Sequence, residues 1–343
     1  MIGVVHHHDP DRLVHRGHDA TALGIPCSGR LHATATVAVA NLLLVVNPSA
    51  SAVTARARVV IHKALAADHQ VELIETSRRG HATRLAQGAA AEGRDVVVVL
   101  GGDGTLNEAA NGLAGSDTAM GVLPGGSTNV FARTLGLPND PIEATAAVLE
   151  ALESGAIRRV GLGSVNGRYF LFHTGIGFDA AVVAQVERRA GLKRYAGHPL
   201  YFYAALSTWF RHYDRSRPRF AVHLPGGAVV DDAYFAVCAN TDPYTFMGKR
   251  ALHLAPDATF DRGLALFSLR SLALSTVLSA ASSALASGSR ARRHRLSDYR
   301  SDLAEVTIRG YGPFPYQVDG DYLGETEELV FRHEPDLLRL VIA

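Results

Sequence analysis

Leu100-Gly101-Gly102-Asp103-Gly104-Thr105-Leu106-Asn107-Glu108 decides how this chain is read, because it follows directly on the apolar run 95–100. Three glycines around one aspartate, where a buried strand ends and a helix begins, form a phosphate loop. Glycine lets backbone N–H groups approach phosphate oxygens, and the following helix offers its positive end. A carboxylate inside such a loop repels phosphate unless a cation lies between them, so Asp103 implies Mg²⁺. No Gly-Lys-Ser/Thr follows, and the Gly-x-Gly-x-x-Gly spacing is missing, so this is neither a Walker loop nor a dinucleotide fingerprint.

Outward from this loop, strand and helix patterns alternate. Short apolar runs at 42–46, 71–76, 95–100 and 120–123 predict strands, with helices over 81–92 and 141–153 among the segments between and after them. That alternation predicts right-handed crossovers and a parallel sheet covered on both faces. Ligands of such sheets sit at the carboxyl ends of the strands. All four strands end in polar or glycine-rich turns: Asn47-Pro48-Ser49, Thr76 with Gly80-His81-Ala82, the 101–108 loop, and Pro124-Gly125-Gly126-Ser127-Thr128-Asn129. Beyond residue 160 the pattern changes to short strands and tight turns, Asn166-Gly167 among them, which predicts an antiparallel, β-rich region. The expected organisation is an arm over 1–38, a nucleotide-binding α/β domain over 39–160 and a β-rich substrate domain over 161–343. The last strand is a candidate to return to the first domain.

Hydrophobic residues make up 47% of the 343 and charged residues 20%, a globular profile with a sizeable core. The net charge of +1 gives no global field for nucleic acid. The basic run Arg290, Arg292, Arg293, His294, Arg295 has no aromatic companions, so no nucleic-acid partner is expected, although the run suits anionic lipid head groups. Cys27 and Cys238 lie far apart, which fits a reducing cytosol rather than a disulfide framework. His6-His7-His8 lies in the solvated arm, and no signal peptide or run of transmembrane length is evident. A cytoplasmic protein with peripheral membrane contact is expected.

The chain resembles the bacterial diacylglycerol kinase and lipid kinase family, to which sphingosine and ceramide kinases are related. The four turns carry the resemblance, the last extending through Leu123 and Val130-Phe131-Ala132. Thr174-Gly175-Ile176-Gly177-Phe178-Asp179-Ala180 and Val318-Asp319-Gly320-Asp321 continue it almost to the C-terminus. The resemblance implies an α/β N-terminal domain of the NAD kinase/diacylglycerol kinase type followed by a mostly antiparallel β-rich domain. It implies ATP and Mg²⁺, with Asp103 as the metal residue and a diacylglycerol-like alcohol converted to phosphatidic acid. The ATP contacts map to Asn47, Pro48, Ser49, Ala50, Ser51, Thr76, Gly101, Gly102, Asp103, Gly104, Thr105, Leu106, Asn107, Glu108 and Ser127. Ser127 replaces the family's usual threonine and keeps the hydroxyl. The general base maps to Asp321, where the family has glutamate, and the aspartate reaches about 1.5 Å less far.

Two further segments bear on the substrate side. A structural Mg²⁺ loop of related enzymes maps to Asp261-Arg262-Gly263-Leu264. Arg262 stands there at a ligand position that a guanidinium cannot fill, so that metal is not expected. Tyr201-Phe202-Tyr203, Trp209 and Phe210 either line a lipid cleft or pack on the β-rich domain. Asp179 either joins a hydrogen-bond network near the cleft or caps its helix. Two alternatives to a lipid kinase remain: a soluble-substrate kinase of the NAD kinase type, and a nucleotide- or lipid-binding regulator weakened at Asp321. A homodimer is left open.

Overall fold

The computed structural model describes residues 39–188, 203–286 and 294–342. The arm 1–38 with its histidines and Cys27, the aromatics Tyr201 and Phe202, and Arg290, Arg292 and Arg293 lie outside the described residues.

The first half alternates β1 (Asn41–Val46), α1 (Ala55–Leu65), β2 (Gln70–Glu75), α2 (His81–Ala91), β3 (Val96–Gly101), α3 (Asp103–Leu113) and β4 (Ala119–Pro124). Two helices follow, the short α4 (Val130–Thr134) and α5 (Pro141–Glu153). The four strands are parallel in the order β4-β3-β1-β2. Successive residues of the apolar runs serve opposite faces. Leu43, Val45, Val97 and Val99 pack with Ala86 of α2 and Leu106 of α3. Leu42, Leu44, Val96 and Val98 pack with Ile61 of α1 and Val148 of α5. That division is why the strands read as unbroken apolar runs. Side-chain oxygens set two helix starts: Thr54 accepts from Ala57 N, and Asp140 accepts from Ile142 N and Glu143 N ahead of Pro141.

The second half opens with β5 (Ile157–Val165), β6 (Arg168–Phe170), β7 (His173–Gly177) and α6 (Phe178–Glu187). Then come β8 (Phe220–His223), β9 (Val229–Ala233), β10 (Phe235–Ala239) and the small hairpin β11 (Thr245–Met247) with β12 (Arg250–Leu252). It closes with β13 (Leu264–Leu269), α7 (Leu274–Ala286), β14 (Ser297–Leu303), β15 (Glu305–Val318) and β16 (Asp321–Val341). Asn166 and Gly167 both take positive φ, 46° and 81°, as a type I′ hairpin turn requires. Pairing in this half is antiparallel, and its second core is built around Phe170, Phe220, Phe314 and Phe331.

The sequence predicts short strands near 305–308, 316–318 and 337–342, whereas β15 and β16 run 14 and 21 residues. The proline-containing stretch of β15 is absorbed by a register shift between Arg309 and Phe314, which lets one strand continue where the composition suggests two. Leu340 of β16 pairs in parallel with Met120 of β4 while the same strand pairs with β5 and β15. One sheet of 14 strands therefore passes through both halves. The β3–α3 loop and the β15–β16 turn meet beside it. Among the described residues, no helix is long and apolar enough to cross a membrane.

Candidate active site

The turns at the carboxyl ends of the parallel strands interlock. Asn47 N donates to Leu100 O at 2.9 Å, and its Nδ2 donates to Thr105 Oγ1, also at 2.9 Å. Gly125 N donates to Gly101 O at 2.7 Å. A Cβ on Gly125 would stand 2.8 Å from Gly101 Cα, so the two glycine loops touch backbone to backbone and only glycine fits. Asp103 holds them in this state. Its two carboxylate oxygens accept from Val130 N and Phe131 N, each at 3.0 Å, at the start of α4. Asp103 thus fastens the first loop to the helix after the second. Asn129, with φ of 50°, closes the second loop by accepting from Gly126 N at 2.7 Å.

The β15–β16 turn brings Asp319 and Asp321 up to α3 from the other side. Asp319 is buried and accepts from Leu171 N, Phe172 N and His173 N at 2.7, 3.0 and 3.1 Å. Asn107 Nδ2 donates to it at 2.8 Å. Burial pushes its pKa up to about 6, against the four hydrogen bonds that pull it down. Asn107 also donates to Tyr169 O at 2.9 Å and accepts from Arg168 Nη2 at 2.8 Å, so it welds α3 to the β-rich half. Asp321 stands over the N-terminus of α3: its Oδ2 is 3.4 Å from where a Cβ on Gly104 would sit. The same oxygen lies 3.0 Å from Arg79 Nη2 and 3.9 Å from Arg168 Nη2.

A second buried network supports this turn. Gln317 accepts from Gly320 N at 2.7 Å and donates to Asp179 Oδ2 at 2.9 Å. Tyr244 donates its phenol to Asp179 Oδ1. Asp179 makes no capping bond to α6, which resolves its two sequence readings in favour of the network. Burial raises its carboxyl above the usual range, against Tyr244 and Gln317. Gly175 makes room for it, since a Cβ there would fall 1.6 Å from Asp179 Oδ2. Tyr244 in turn lies over the His173 ring, with centroids 4.5 Å apart. Burial pushes the pKa of His173 down to about 3, so the ring is neutral.

A cavity of about 720 Å³ opens between these parts. Asn47, Ser49, Ala50, Ser51, Gly102, Asp103, Gly104, Thr105 and Ser127 line one side, and Asp319, Gly320 and Asp321 line the other. Val182 and Val183 of α6, Ala205, Tyr244, Phe246, Met247 and Leu252 make an apolar section. The remaining expected contact residues lie elsewhere. Leu106 is fully buried in the core, and Asn107 is spent on Asp319, Tyr169 and Arg168. Glu108 accepts from Gly80 N at 2.8 Å and Ala82 N at 3.2 Å, capping α2. Thr76 N donates to Val46 O at 2.8 Å, and Pro48, Thr76 and Gly101 are not lining residues.

In the β-rich half, residues 203–207 are helical and lead into a short π-helix over Thr208–His212. Trp209 donates to Leu272 O at 3.2 Å, while Tyr203 and Phe210 are exposed. Ala205 of this segment reaches the cavity, and the cavity's rings come instead from Phe172, His173, Tyr244 and Phe246 of the β11–β12 hairpin. Asp261 accepts from Arg158 Nη1 at 2.6 Å. Among the described residues, no three His, Cys, Asp or Glu side chains are grouped to hold a metal. Mg²⁺ in phosphoryl-transfer sites takes most of its ligands from phosphate and water plus one or two carboxylates, and Asp103, a carboxylate lining the cavity, fits that pattern.

Residues 41–165 match the family model of the diacylglycerol kinase catalytic domain. The diacylglycerol kinase of Bacillus subtilis (strain 168) is 40% identical over 114 residues, 33% of this chain and 37% of that protein. The diacylglycerol kinase of Staphylococcus aureus (strain JH9) is 38% identical over 107 residues, 31% of this chain and 33% of that protein. The aligned stretch spans about a third of the length of these curated relatives. A diacylglycerol kinase crystal structure from Bacillus anthracis superposes with a TM-score of 0.66, covering 88% of this chain and 97% of that chain at 20% identity. The family resemblance and the two-part architecture expected from the sequence are therefore shown.

Proposed function

We propose that this chain is an ATP- and Mg²⁺-dependent lipid kinase that phosphorylates a diacylglycerol-like alcohol to phosphatidic acid, working in the cytoplasm at a membrane surface. The observation that carries the reading is the meeting of Gly104 and Asp321 where the two sides of the cavity join, with the apolar residues of α6 and the β11–β12 hairpin alongside. A phosphate loop, a carboxylate and an apolar wall are what phosphoryl transfer to a lipid hydroxyl needs.

In this reading the backbone of Gly102 and Gly104 and the hydroxyls of Ser49, Thr105 and Ser127 hold the triphosphate of ATP. Mg²⁺, when bound through Asp103 and the phosphates, supplies neutralisation of the charge spread over the transferring group. Asp321 accepts the proton of the acceptor hydroxyl as its oxygen attacks the γ-phosphorus and ADP leaves with the bonding electron pair. Asp319, Gln317 and Asp179 hold the turn that presents Asp321. The exposed loop of β11–β12 carries Lys249 and Arg250, which suits an anionic surface beside the apolar wall.

The test incubates the full chain with labelled ATP, Mg²⁺ and separate acceptors: diacylglycerol, monoacylglycerol, ceramide, sphingosine and NAD. Label is expected in the diacylglycerol product, and Asp321→Asn should lower kcat by about 10²–10⁴. Formation of NADP without lipid labelling, or ATP binding with no acceptor labelled, would overturn the reading. Turnover that Asp321→Asn leaves intact would remove Asp321 as the base.

A further inference from the structure

Arg79 belongs to neither the glycine loops nor the β15–β16 turn, yet its guanidinium lies 3.0 Å from Asp321 Oδ2. It sits one residue before Gly80, whose φ of 76° turns the chain into α2. The backbone beneath it is fixed. Glu108 accepts from Gly80 N and Ala82 N at 2.8 and 3.2 Å, and a Cβ on Gly112 of α3 would stand only 2.4 Å from Thr83 O of α2. The side chain itself is 64% exposed, so a long cationic arm extends from a rigid base to Asp321, which lines the cavity.

The second guanidinium near Asp321 has a different task. Arg168 stands 3.9 Å from the same oxygen and donates from Nη2 to Asn107 Oδ1 at 2.8 Å. It is part of the weld between α3 and the β-rich half. Among the described residues, Arg79 has Asp321 as its ion-pair partner and engages it through one nitrogen, Nη2. Arginine carries five N–H donors in a planar fork that matches phosphate oxygens.

Resting on the proposed phosphoryl transfer, we infer that Arg79 is a further catalytic residue, a cationic clamp on the transferring phosphoryl group between the glycine loop and Asp321. The chemistry calls for one at this place. An ionised base and a phosphoryl group repel each other, and Asp321 Oδ2 lies at ordinary contact distance, 3.4 Å, from a Cβ placed on Gly104. A guanidinium beside Asp321 Oδ2 offsets that repulsion and strengthens its hold as charge develops on the equatorial oxygens. The acceptor oxygen forms the new bond to phosphorus, the bond to the ADP oxygen breaks, and the proton passes to Asp321; Arg79 exchanges no proton.

The experiment compares the full chain with Arg79→Ala and Arg79→Lys. Lipid phosphorylation is measured with diacylglycerol in vesicles, ATP and ADP affinities by calorimetry, and folding by the urea midpoint. The expected result for Arg79→Ala is a fall in kcat of about 100-fold or more at unchanged lipid KM and urea midpoint. Affinity for ATP should fall about tenfold relative to ADP. Arg79→Lys should restore part of the loss, because a point charge replaces a fork. A smaller fall in kcat, a rise, or a fall carried by lipid KM overturns the inference. If the unmodified chain labels no lipid, the proposed acceptor fails while Arg79 is judged by nucleotide alone: loss of the ATP-over-ADP preference in Arg79→Ala upholds the clamp, and its retention overturns it. Absence of any ATP binding overturns both.

Discussion

The two sides of the cavity are held by different materials. On the α/β side the wall is backbone: Gly125 lies against Gly101, Asn47 N bonds Leu100 O, and Asp103 uses its carboxylate on the amides that start α4. On the β-rich side the wall rests on buried groups, with Gln317, Asp179, Tyr244, His173 and Asp319 in contact one after another. The glycine and amide contacts of the first wall have no ionisable state to lose and are sensitive to added bulk, Asp103 being the titratable group named among them. A wall of buried titratable groups is the reverse: its fit depends on which proton each group carries. Under the proposed function, the first wall would hold phosphate and the second would face the acceptor.

Removing the side chain that joins the walls should break the comparison most severely. Asp319→Ala leaves the amides of Leu171, Phe172 and His173 without their acceptor and removes one of the three bonds by which Asn107 holds the β-rich half, leaving those to Tyr169 O and Arg168. Orphaning three buried donors and a charge-assisted amide bond should cost about 3–5 kcal/mol, read as a lower urea midpoint. A loss below about 1 kcal/mol would mean that the two halves are held by the continuous sheet alone.

Acid should loosen the β-rich wall next. The folded-state pKa of His173 is about 3, below its ordinary 6.5 because burial disfavours the imidazolium. Its contribution to stability is therefore complete above pH 6.5 and is lost as pH falls from there towards 3. His173→Phe keeps a ring against Tyr244 and removes the titration. Between pH 6.5 and 4.5 the unmodified chain should lose about 2–3 kcal/mol more than this variant, at about 1.4 kcal/mol per pH unit. Asp179 and Asp319, whose pKa values burial raises, shift stability in the opposite direction, but they are present in both proteins and drop out of the difference. Equal acid sensitivity in the two proteins would show that His173 titrates elsewhere.

The same contrast explains what could be read from the chain. The first wall is local: Gly101 ends β3, Gly102 and Gly104 open α3, Gly125 and Gly126 follow β4, and composition alone points to both loops. The acceptor wall joins residues far apart in sequence. Asp179 meets Gln317 across 138 positions, and Asn107 meets Asp319 across 212. No spacing rule carries such pairs, so Gln317, Tyr244 and His173 escaped notice, although Asp319 and Asp179 lay inside quoted motifs. The aromatics were misleading for a related reason. A run such as Tyr203, Trp209 and Phe210 advertises an apolar face without saying what it faces; none of these three lines the cavity, and Trp209 bonds Leu272 O of the β-rich half, the other of the two readings.

Glu108 sharpens the comparison at its finest grain, because it lies in the glycine-loop sequence and yet behaves like a member of the other wall. The resemblance assigns it to ATP, whereas its carboxylate accepts from Gly80 N and Ala82 N and so caps the first turn of α2. Glu108→Gln keeps the length and one accepting oxygen while removing the charge that favours a helix N-terminus. A capping role should cost about 1 kcal/mol in urea unfolding and change ATP affinity less than about threefold. A nucleotide role would reverse those readouts, with affinity falling about tenfold and the midpoint unmoved. The capping outcome carries a consequence for Arg79, whose position depends on the Gly80 turn that Glu108 holds. Glu108→Gln should then lower kcat modestly through Arg79, and that extra loss should vanish in the Arg79→Ala background, where the turn no longer has a guanidinium to aim.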